Sequence, residues 1–358
     1  MLSSSWGDKV NLTVFGASHA KEIGVNINGL PKGFELDMDA ILCQLKRRAP
    51  GRSKYATPRK EADLPIIKEG VINNVTTGET LKMVIENTNQ HSKDYSSLKV
   101  CPRPGHADYT AFLKYKGELD MSGGGPFSGR LMAPVVFAGE ICRQILNKEY
   151  GIDIVSHVAE IGGVKDKSFF DTEIDSELYS KLKAESFPTI CDTQKAKMEN
   201  AIEDAMKDKD SVGGIVECAV LNMPQGVGGP IFDGIESVIS SAMFSIPACK
   251  GVEFGIGFDA CRLRGSENND EFEYKNGEVV TKTNNCGGIL GGISNGMPLT
   301  FRVGFKPTPS IARTQNTVNL QTKENTTIEI VGRHDPCIVT RAAVIVEAMA
   351  AIAIINML

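Results

Sequence analysis

Residues 271–283 read EFEYKNGEVVTKT, and two short runs containing Phe, Tyr and Val flank the dipeptide Asn276-Gly277. An Asn-Gly pair between two such runs favours a type I′ turn, because both central residues of that turn need a positive φ angle. The stretch therefore predicts a β-hairpin, and antiparallel pairing as a feature of the fold.

Further predicted strands come in groups, whereas the predicted helices are few and well separated. The strand pattern covers Asn11–Phe15, Ile23–Asn28, Leu81–Ile85, Gly214–Leu221 and Leu299–Phe305. Helical periodicity with boundary residues covers Asp37–Arg48, Leu131–Glu149, Gln194–Lys207 and Arg341–Met357. Because strict strand–helix–strand alternation is missing, the pattern favours an α+β fold with antiparallel sheets over a doubly wound parallel sheet.

The composition is that of a globular protein. With 358 residues and 41% hydrophobic content the chain can bury a large core, and its length alone permits one domain or two. Met1–Trp6 lacks the features of a secretory leader, and the longest apolar stretch is interrupted by Glu347 and Asn356. We therefore expect neither secretion nor a membrane span. The polar segment Asp166–Asp210 predicts a surface helix with loops.

Cysteine spacing and net charge exclude two further classes. The nine cysteines are scattered, the closest two being Cys249 and Cys261, so no CxxC pair exists. This usage indicates a reducing compartment and no structural zinc. The net charge of -5 argues against nucleic-acid binding, which normally requires a basic domain. Any anion site must therefore be built locally.

The strongest charge feature is the basic segment 46–60, where seven basic residues precede the first acid, Glu61. Pro50 and Gly51 should end the preceding helix, so the arginines project from a loop, where guanidinium groups can bind carboxylates or phosphate bidentately. The alternative is an ordinary solvated basic surface.

Three of the five histidines, His19, His106 and His334, lie in loops that contain Gly or Pro. Loops on a rigid scaffold often carry catalytic groups, and histidine titrates near neutral pH. Arg103 and Arg333 lie close to two of them, which favours an acid or base beside an anionic substrate. A lone loop histidine is, however, more often a surface residue.

Glycine-rich segments at Gly123–Gly125 and Gly287–Gly292 match neither the GxGxxG nor the Walker A pattern, so nicotinamide-type Rossmann binding and P-loop chemistry are unsupported. Such glycines could let the backbone approach a flat cofactor or its phosphate. Tight turns explain any one of them equally well.

Taken together, the motifs resemble the chorismate synthase family almost end to end. The matching segments are 15–19, 57–63, 85–90, 93–96, 103–108, 210–214, 245–253, 284–296, 306–311 and 332–337. The resemblance implies a β-α-β sandwich of antiparallel sheets flanked by helices, in one domain spanning 1–358. It also implies a cytoplasmic homotetramer that binds reduced FMN and eliminates phosphate from 5-enolpyruvylshikimate 3-phosphate to give chorismate, with no nucleic-acid or membrane partner. NADPH-dependent flavin reduction is an open possibility.

The resemblance also implies roles for individual residues. His19 resembles the general acid for the departing phosphate, and His106 the histidine that protonates the reduced flavin. Asp335, with Ser18, resembles the pair that helps the flavin accept the substrate proton. The implied substrate-binding residues are Arg48, Lys54, Arg103, Arg130 and Arg333. The implied cofactor-binding residues are His106, Ser128, Pro247, Ala248, Gly291, Lys306, Pro307, Thr308, Pro309, Ser310 and Arg333.

The chain departs from the family pattern at Ala17, Ala20, Ala49 and the pair Pro126-Phe127, where polar or charged residues or glycine are usual. We interpret these as variation within a lineage. Two rival functions stay open at this point: a flavin reductase or oxidoreductase on the same fold, and a non-catalytic protein that binds anions or nucleic acid through segment 46–60.

Overall fold

The computed structural model describes residues 3–51, 63–87, 100–330 and 335–358. The α-helices in these ranges are α1 (Met38–Arg48), α2 (Asp108–Tyr115), α3 (Met132–Tyr150), α4 (Ser176–Ala184), α5 (Asp192–Lys207), α6 (Ile235–Phe244), α7 (Gly265–Asn268) and α8 (Val339–Ile355). Four 3-10 turns lie at Ser122–Phe127, Gly129–Leu131, Ile231–Asp233 and Gly257–Arg262.

The strands of the described ranges are numbered β1 to β18. They are β1 (Ser3–Trp6), β2 (Asn11–Gly16), β3 (Glu22–Asn28), β4 (Ile66–Glu69), β5 (Val71–Ile72), β6 (Val75–Thr76), β7 (Leu81–Glu86), β8 (Asp153–Ile161), β9 (Val164–Lys165), β10 (Gly214–Leu221), β11 (Cys249–Phe254), β12 (Phe272–Lys275), β13 (Glu278–Thr281), β14 (Ile289–Leu290), β15 (Ile293–Ser294), β16 (Leu299–Phe305), β17 (Gln315–Asn319) and β18 (Glu324–Ile328).

Two five-stranded sheets carry most of the strand residues. The first has the order β1-β2-β3-β7-β4 and the second the order β11-β16-β10-β8-β9. Every pairing within them is antiparallel. The predicted α+β class with antiparallel sheets is therefore confirmed.

Helices α3 and α8 pack against each other, and together they contact both sheets. Helix α3 contacts β2, β3 and β7 of the first sheet, whereas α8 contacts β8 and β10 of the second. The two helices approach closely at Gly139, where an added Cβ would lie 2.4 Å from the Cβ of Ala348. Most of α8 is buried, which explains its predominantly apolar sequence.

The strongest sequence signals gave accurate boundaries. Strands β10 and β16 have the predicted bounds, and Asp37 caps α1 by accepting a hydrogen bond from the Ala40 amide. The predicted hairpin is formed by β12 and β13, with Asn276 and Gly277 at φ angles of 55° and 86°. The pattern missed strands β8 and β11 and helix α6.

Segment Asp166–Asp210 contains the predicted helix, α5, and a second helix, α4, that was not predicted. One carboxylate of the segment is buried. The Asp166 side chain lies 3.1 Å from Nδ1 of His157, whose Nε2 lies 2.8 Å from Glu217. All three side chains are almost fully shielded from solvent. Burial disfavours charge on His157, but bonds to the two carboxylates outweigh it and raise the pKa of the imidazole.

Candidate functional site

A cavity of 920 Å³ brings together most of the predicted site residues. Its walls include Ser18, Arg48, Arg103, His106, Ser128, Arg130, Pro247, Ala248, Lys306, Thr308, Pro309, Ser310 and Asp335. His19, Gly291 and Pro307 are not among the described residues on its walls, and Lys54 and Arg333 lie outside the described residues. The volume lies within the range of roughly 300–1,000 Å³ that is usual for small-molecule sites.

His106 is held by an acidic partner two residues further along the chain. Its Nδ1 lies 2.8 Å from Oδ1 of Asp108, the first residue of α2. Nη2 of Arg103 also lies 3.1 Å from Nδ1, and the ring presents Nε2 toward Gly124, where an added Cβ would lie 3.3 Å away. The orientation of the imidazole is therefore fixed.

Arg103 completes this cluster. Its Nε donates to Oδ2 of Asp108 and its Nη2 to Oδ1, both at 2.7 Å, and its Nη1 donates to Ser310 at 3.1 Å. Burial of Asp108 opposes its charge, but hydrogen bonds from Arg103 and His106 outweigh it and hold the pKa of the carboxyl well below its usual range. Arg103 thus anchors the residue that orients His106.

The loop with Ser18 and His19 packs against the glycine-rich turn 123–125. All three glycines have positive φ angles, of 63°, 97° and 54°. An added Cβ at Gly123 would lie 2.7 Å from Nε2 of His19 and 2.8 Å from Oγ of Ser18. Glycine is therefore required here both for backbone conformation and for space. Gly123 of this turn lies next to His19, and Gly124 lies next to His106.

Two arginines share one buried carboxylate on the opposite side of the site. Arg48, the last residue of α1, donates from Nη1 to Oδ2 of Asp63 at 2.7 Å, and Arg130 donates from Nη1 to Oδ1. Burial lowers the pKa of Arg48 to about 10, with Arg341 and Arg130 contributing, so it stays charged at neutral pH. The Nε of Arg48 is buried and has no hydrogen-bond partner among the described residues.

Arg341 connects these arginines to Asp335. Its Nη1 lies 2.5 Å from Oδ2 of Asp335, and its Nε donates to the carbonyl of Arg48 at 2.9 Å. Arg341 lies in the first turn of α8 and also lines the cavity. The ends of α1 and α8 are thereby tied together at the site.

The candidate cofactor-binding residues lie where β11 begins and where β16 ends. Ala248 has a φ angle of 71°, and its carbonyl accepts a hydrogen bond of 3.0 Å from the amide of Lys306. The Nζ of Lys306 donates to the Gly105 carbonyl, next to His106. Partial burial and the nearby charge of Lys250 lower the pKa of Lys306. Two cationic side chains therefore lie on the same edge.

These residues fit a flat, anionic cofactor. The hydroxyl of Thr308 is buried and has no hydrogen-bond partner among the described residues, so it is available to a ligand. Lys306 and Lys250 add positive charge beside it. Among the departures from the family pattern, Pro126 and Phe127 line the cavity, and they place an apolar surface at its rim. No group of three or more metal-binding side chains occurs in the described part of the chain.

The sequence predictions missed three residues that organise the site. Asp63 and Asp108 belong to quoted motifs but had been given no role, and Arg341 was counted only as the start of a helix. Each acts through another side chain, so its importance depends on a contact between residues distant in sequence or on a turn. The one available signal was the spacing of Asp108, two residues beyond His106 and at a helix start.

The described part of the chain has no helix long and apolar enough to cross a membrane.

Known proteins similar to this chain share one description. The sequence model of the chorismate synthase family matches residues 10–358. Proteins named chorismate synthase from Dehalococcoides mccartyi strain BAV1 and Methanocaldococcus jannaschii are 45% and 44% identical, over 99% and 100% of this chain and 96% of each relative. A crystal structure of chorismate synthase superposes with a TM-score of 0.77 at 28% identity, covering 98% of this chain and 92% of the other. The chain therefore belongs to the chorismate synthase family, a family of lyases in the shikimate pathway.

Proposed function

We propose that this chain eliminates phosphate from 5-enolpyruvylshikimate 3-phosphate in the 1,4-anti sense to give chorismate, with reduced FMN as cofactor. The observation that carries the proposal is a single 920 Å³ cavity lined both by the oriented His106 and by the arginine pair Arg48 and Arg130. A substrate with two carboxylates and a phosphate needs fixed positive charge, and its leaving group needs a proton.

The reaction breaks the C–O bond to phosphate and a C–H bond of the ring, so one proton reaches the phosphate and another leaves the ring. We assign the first transfer to His19, and Asp335 with Ser18 would help the bound flavin to accept the proton of the second. Because Nδ1 of His106 is engaged by Asp108, Nε2 is the ring nitrogen that would exchange a proton with the reduced flavin. Reduced FMN, when bound, would supply an electron-rich ring beside the breaking bond.

Anion binding is assigned to Arg48, Arg130, Arg103, Lys54 and Arg333. Arg103 is already bonded to Asp108 and Ser310, which supports a role in orienting His106 as well as in attracting the substrate. The cofactor positions are Ser128, Pro247, Ala248, Gly291, Lys306, Pro307, Thr308, Pro309, Ser310 and Arg333. Fixed charge of this kind stabilises the departing phosphate in the transition state. Because the charged groups are already in place, little free energy is spent on reorganising them.

We further propose a cytoplasmic homotetramer in which residues 1–358 form one sandwich-like domain. Large apolar side chains stand exposed at Ile231, Phe232 and Phe258, with exposures of 78%, 87% and 73%, and such surface is usually covered by a partner. All nine cysteines are free, as is usual in a reducing compartment. Light scattering of the purified chain tests the assembly, and a monomer would contradict it.

The experiment that tests the function is an anaerobic assay with chemically reduced FMN and the phosphorylated substrate. We expect chorismate to form with reduced FMN and not with oxidised FMN. Addition of NADPH to oxidised FMN, under the same conditions, tests whether the chain reduces its own flavin. Oxidation of NADPH without any chorismate would support the rival reductase function instead.

A further inference from the structure

Asp63 is a buried carboxylate bonded to two arginines that line the cavity, and its presence beside a proposed anion site calls for a physical reason. Its side chain is fully shielded from solvent, and its two oxygens bind different arginines, Oδ2 to Arg48 and Oδ1 to Arg130. Its negative charge opposes the binding of any anion to the same arginines. A site that only needed positive charge would be better without it.

The contacts of the two arginines supply that reason. Arg48 also donates from Nη2 to the carbonyl of Gly129 at 2.8 Å, and Arg130 also donates from Nε to Oδ1 of Asn87 at 3.1 Å. Each guanidinium is therefore held at two points, and Asp63 is the point that both share. Without it, two buried like charges would repel each other and separate.

Net charge at the cluster remains positive. Arg48 and Arg130 carry two positive charges against the one negative charge of Asp63. Arg341 adds a third positive charge, which Asp335 balances, so the described residues leave one positive charge in excess. Burial opposes ionisation of Asp63, but the attraction of Arg48 and Arg130 outweighs it and lowers the pKa of the carboxyl, so it stays charged at neutral pH. The cluster thus keeps an excess of positive charge toward the cavity in a fixed geometry.

We propose that Asp63 is a positioning residue, which aligns Arg48 and Arg130 for the departing phosphate. Its negative charge at the same time weakens the attraction of these arginines for an anion in the ground state. Because it concerns the substrate site, this assignment rests on the proposed function. It predicts that one substitution lowers turnover without weakening phosphate binding, which a merely structural role would not produce.

The test compares Asp63→Asn with the wild type at low ionic strength, where charge effects are least screened. For the variant, kcat per folded enzyme should fall at least about tenfold, because misplaced groups lose transition-state contacts. Calorimetric titration with inorganic phosphate should give an affinity equal to or up to about tenfold higher than that of the wild type, because an opposing charge is gone. Asp63→Glu, which keeps the charge, should recover part of kcat and should reverse any gain in phosphate affinity.

Glu217→Gln is the matched control, because Glu217 is also a buried carboxylate in an ion pair. Its side-chain partners, His157 and Ser168, lie outside the residues that line the cavity, whereas both arginine partners of Asp63 line it. It should lower the melting temperature and leave kcat per folded enzyme within about twofold of the wild type. Unchanged kcat in Asp63→Asn, or phosphate affinity that falls together with kcat, would overturn the assignment. If Asp63→Asn does not fold, Asp63→Glu provides the test. Because the carboxylate of Asp63→Glu is displaced, we expect kcat to fall and phosphate affinity to stay unchanged. A kcat equal to that of the wild type would overturn the assignment.

Phosphate titration does not depend on the reaction. A wild type that binds phosphate but makes no chorismate would contradict the proposed function alone. The affinities of the two Asp63 variants would then decide the positioning role: weaker phosphate binding by Asp63→Asn would overturn it, and unchanged or tighter binding would support it.

Discussion

The amide of Ser18 donates a hydrogen bond of 3.1 Å to the carbonyl of Gly125. This bond joins the loop that carries His19 to the glycine turn that also passes His106. The two histidines, although 87 positions apart in the sequence, are therefore positioned by one short segment.

Replacing Gly123 by Ala should reduce turnover by displacing His19. The added Cβ would lie 2.7 Å from Nε2 of His19, so the imidazole or the turn must move. We expect kcat to fall at least about tenfold, since small displacements at a reacting centre have large effects. Steady-state kinetics on the folded variant provide the measurement.

The control for this substitution is Gly151→Ala. Gly151 has a φ angle of 68°, close to the 63° of Gly123, but nothing lies within 4 Å of its added Cβ. Both variants should lose stability by about 1–2 kcal/mol from the left-handed conformation. If Gly151→Ala lost as much kcat as Gly123→Ala, the effect at Gly123 would be one of stability and not of contact with His19.

Replacing Asp108 by Asn should impair the enzyme through His106. The amide removes the charge that faces Nδ1 of His106 and that pairs with Arg103. We expect kcat to fall by about 10²-fold or more, as for the aspartate that orients the histidine of a catalytic triad. Asp108→Glu, which keeps the charge, should retain more activity than Asp108→Asn. Equal kcat for both variants would show that the charge is unimportant.

The sequence was informative where one local pattern is sufficient. Asn276-Gly277 specifies a hairpin by its backbone preferences, and Asp37 caps α1 within four residues of chain. It was uninformative about Asp63, because the role of that carboxylate depends on its contact with Arg130, which is 67 positions away in the chain. It also missed β8, whose buried polar residues His157 and Ser156 interrupt the apolar pattern but are satisfied by distant partners.

His157→Gln should destabilise the chain in a pH-dependent way. The pKa of His157 is raised in the folded state, so its stabilisation is fully present below the ordinary histidine pKa and is lost as pH rises through the folded value. The pKa values of Asp166 and Glu217 are lowered, so their contribution is present above their ordinary values and is lost in acid. At pH 6 we expect a penalty of about 3 kcal/mol.

Chemical denaturation at a series of pH values measures this penalty as a difference between wild type and variant. The difference should shrink as the pH is raised through the folded-state pKa of His157. Lys207→Gln, at an exposed ion pair, should show no comparable pH dependence between pH 6 and 9. A His157→Gln penalty that grows with rising pH would contradict a charged imidazole in the folded protein.

The most direct test of the central claim is the anaerobic release of phosphate and chorismate by wild type, His19→Ala and His106→Ala. With reduced FMN, the wild type should release the two products in equal amounts, and each folded variant should lose a factor of at least about 10² in kcat. Wild-type turnover in both variants, or phosphate released without chorismate, would contradict the account.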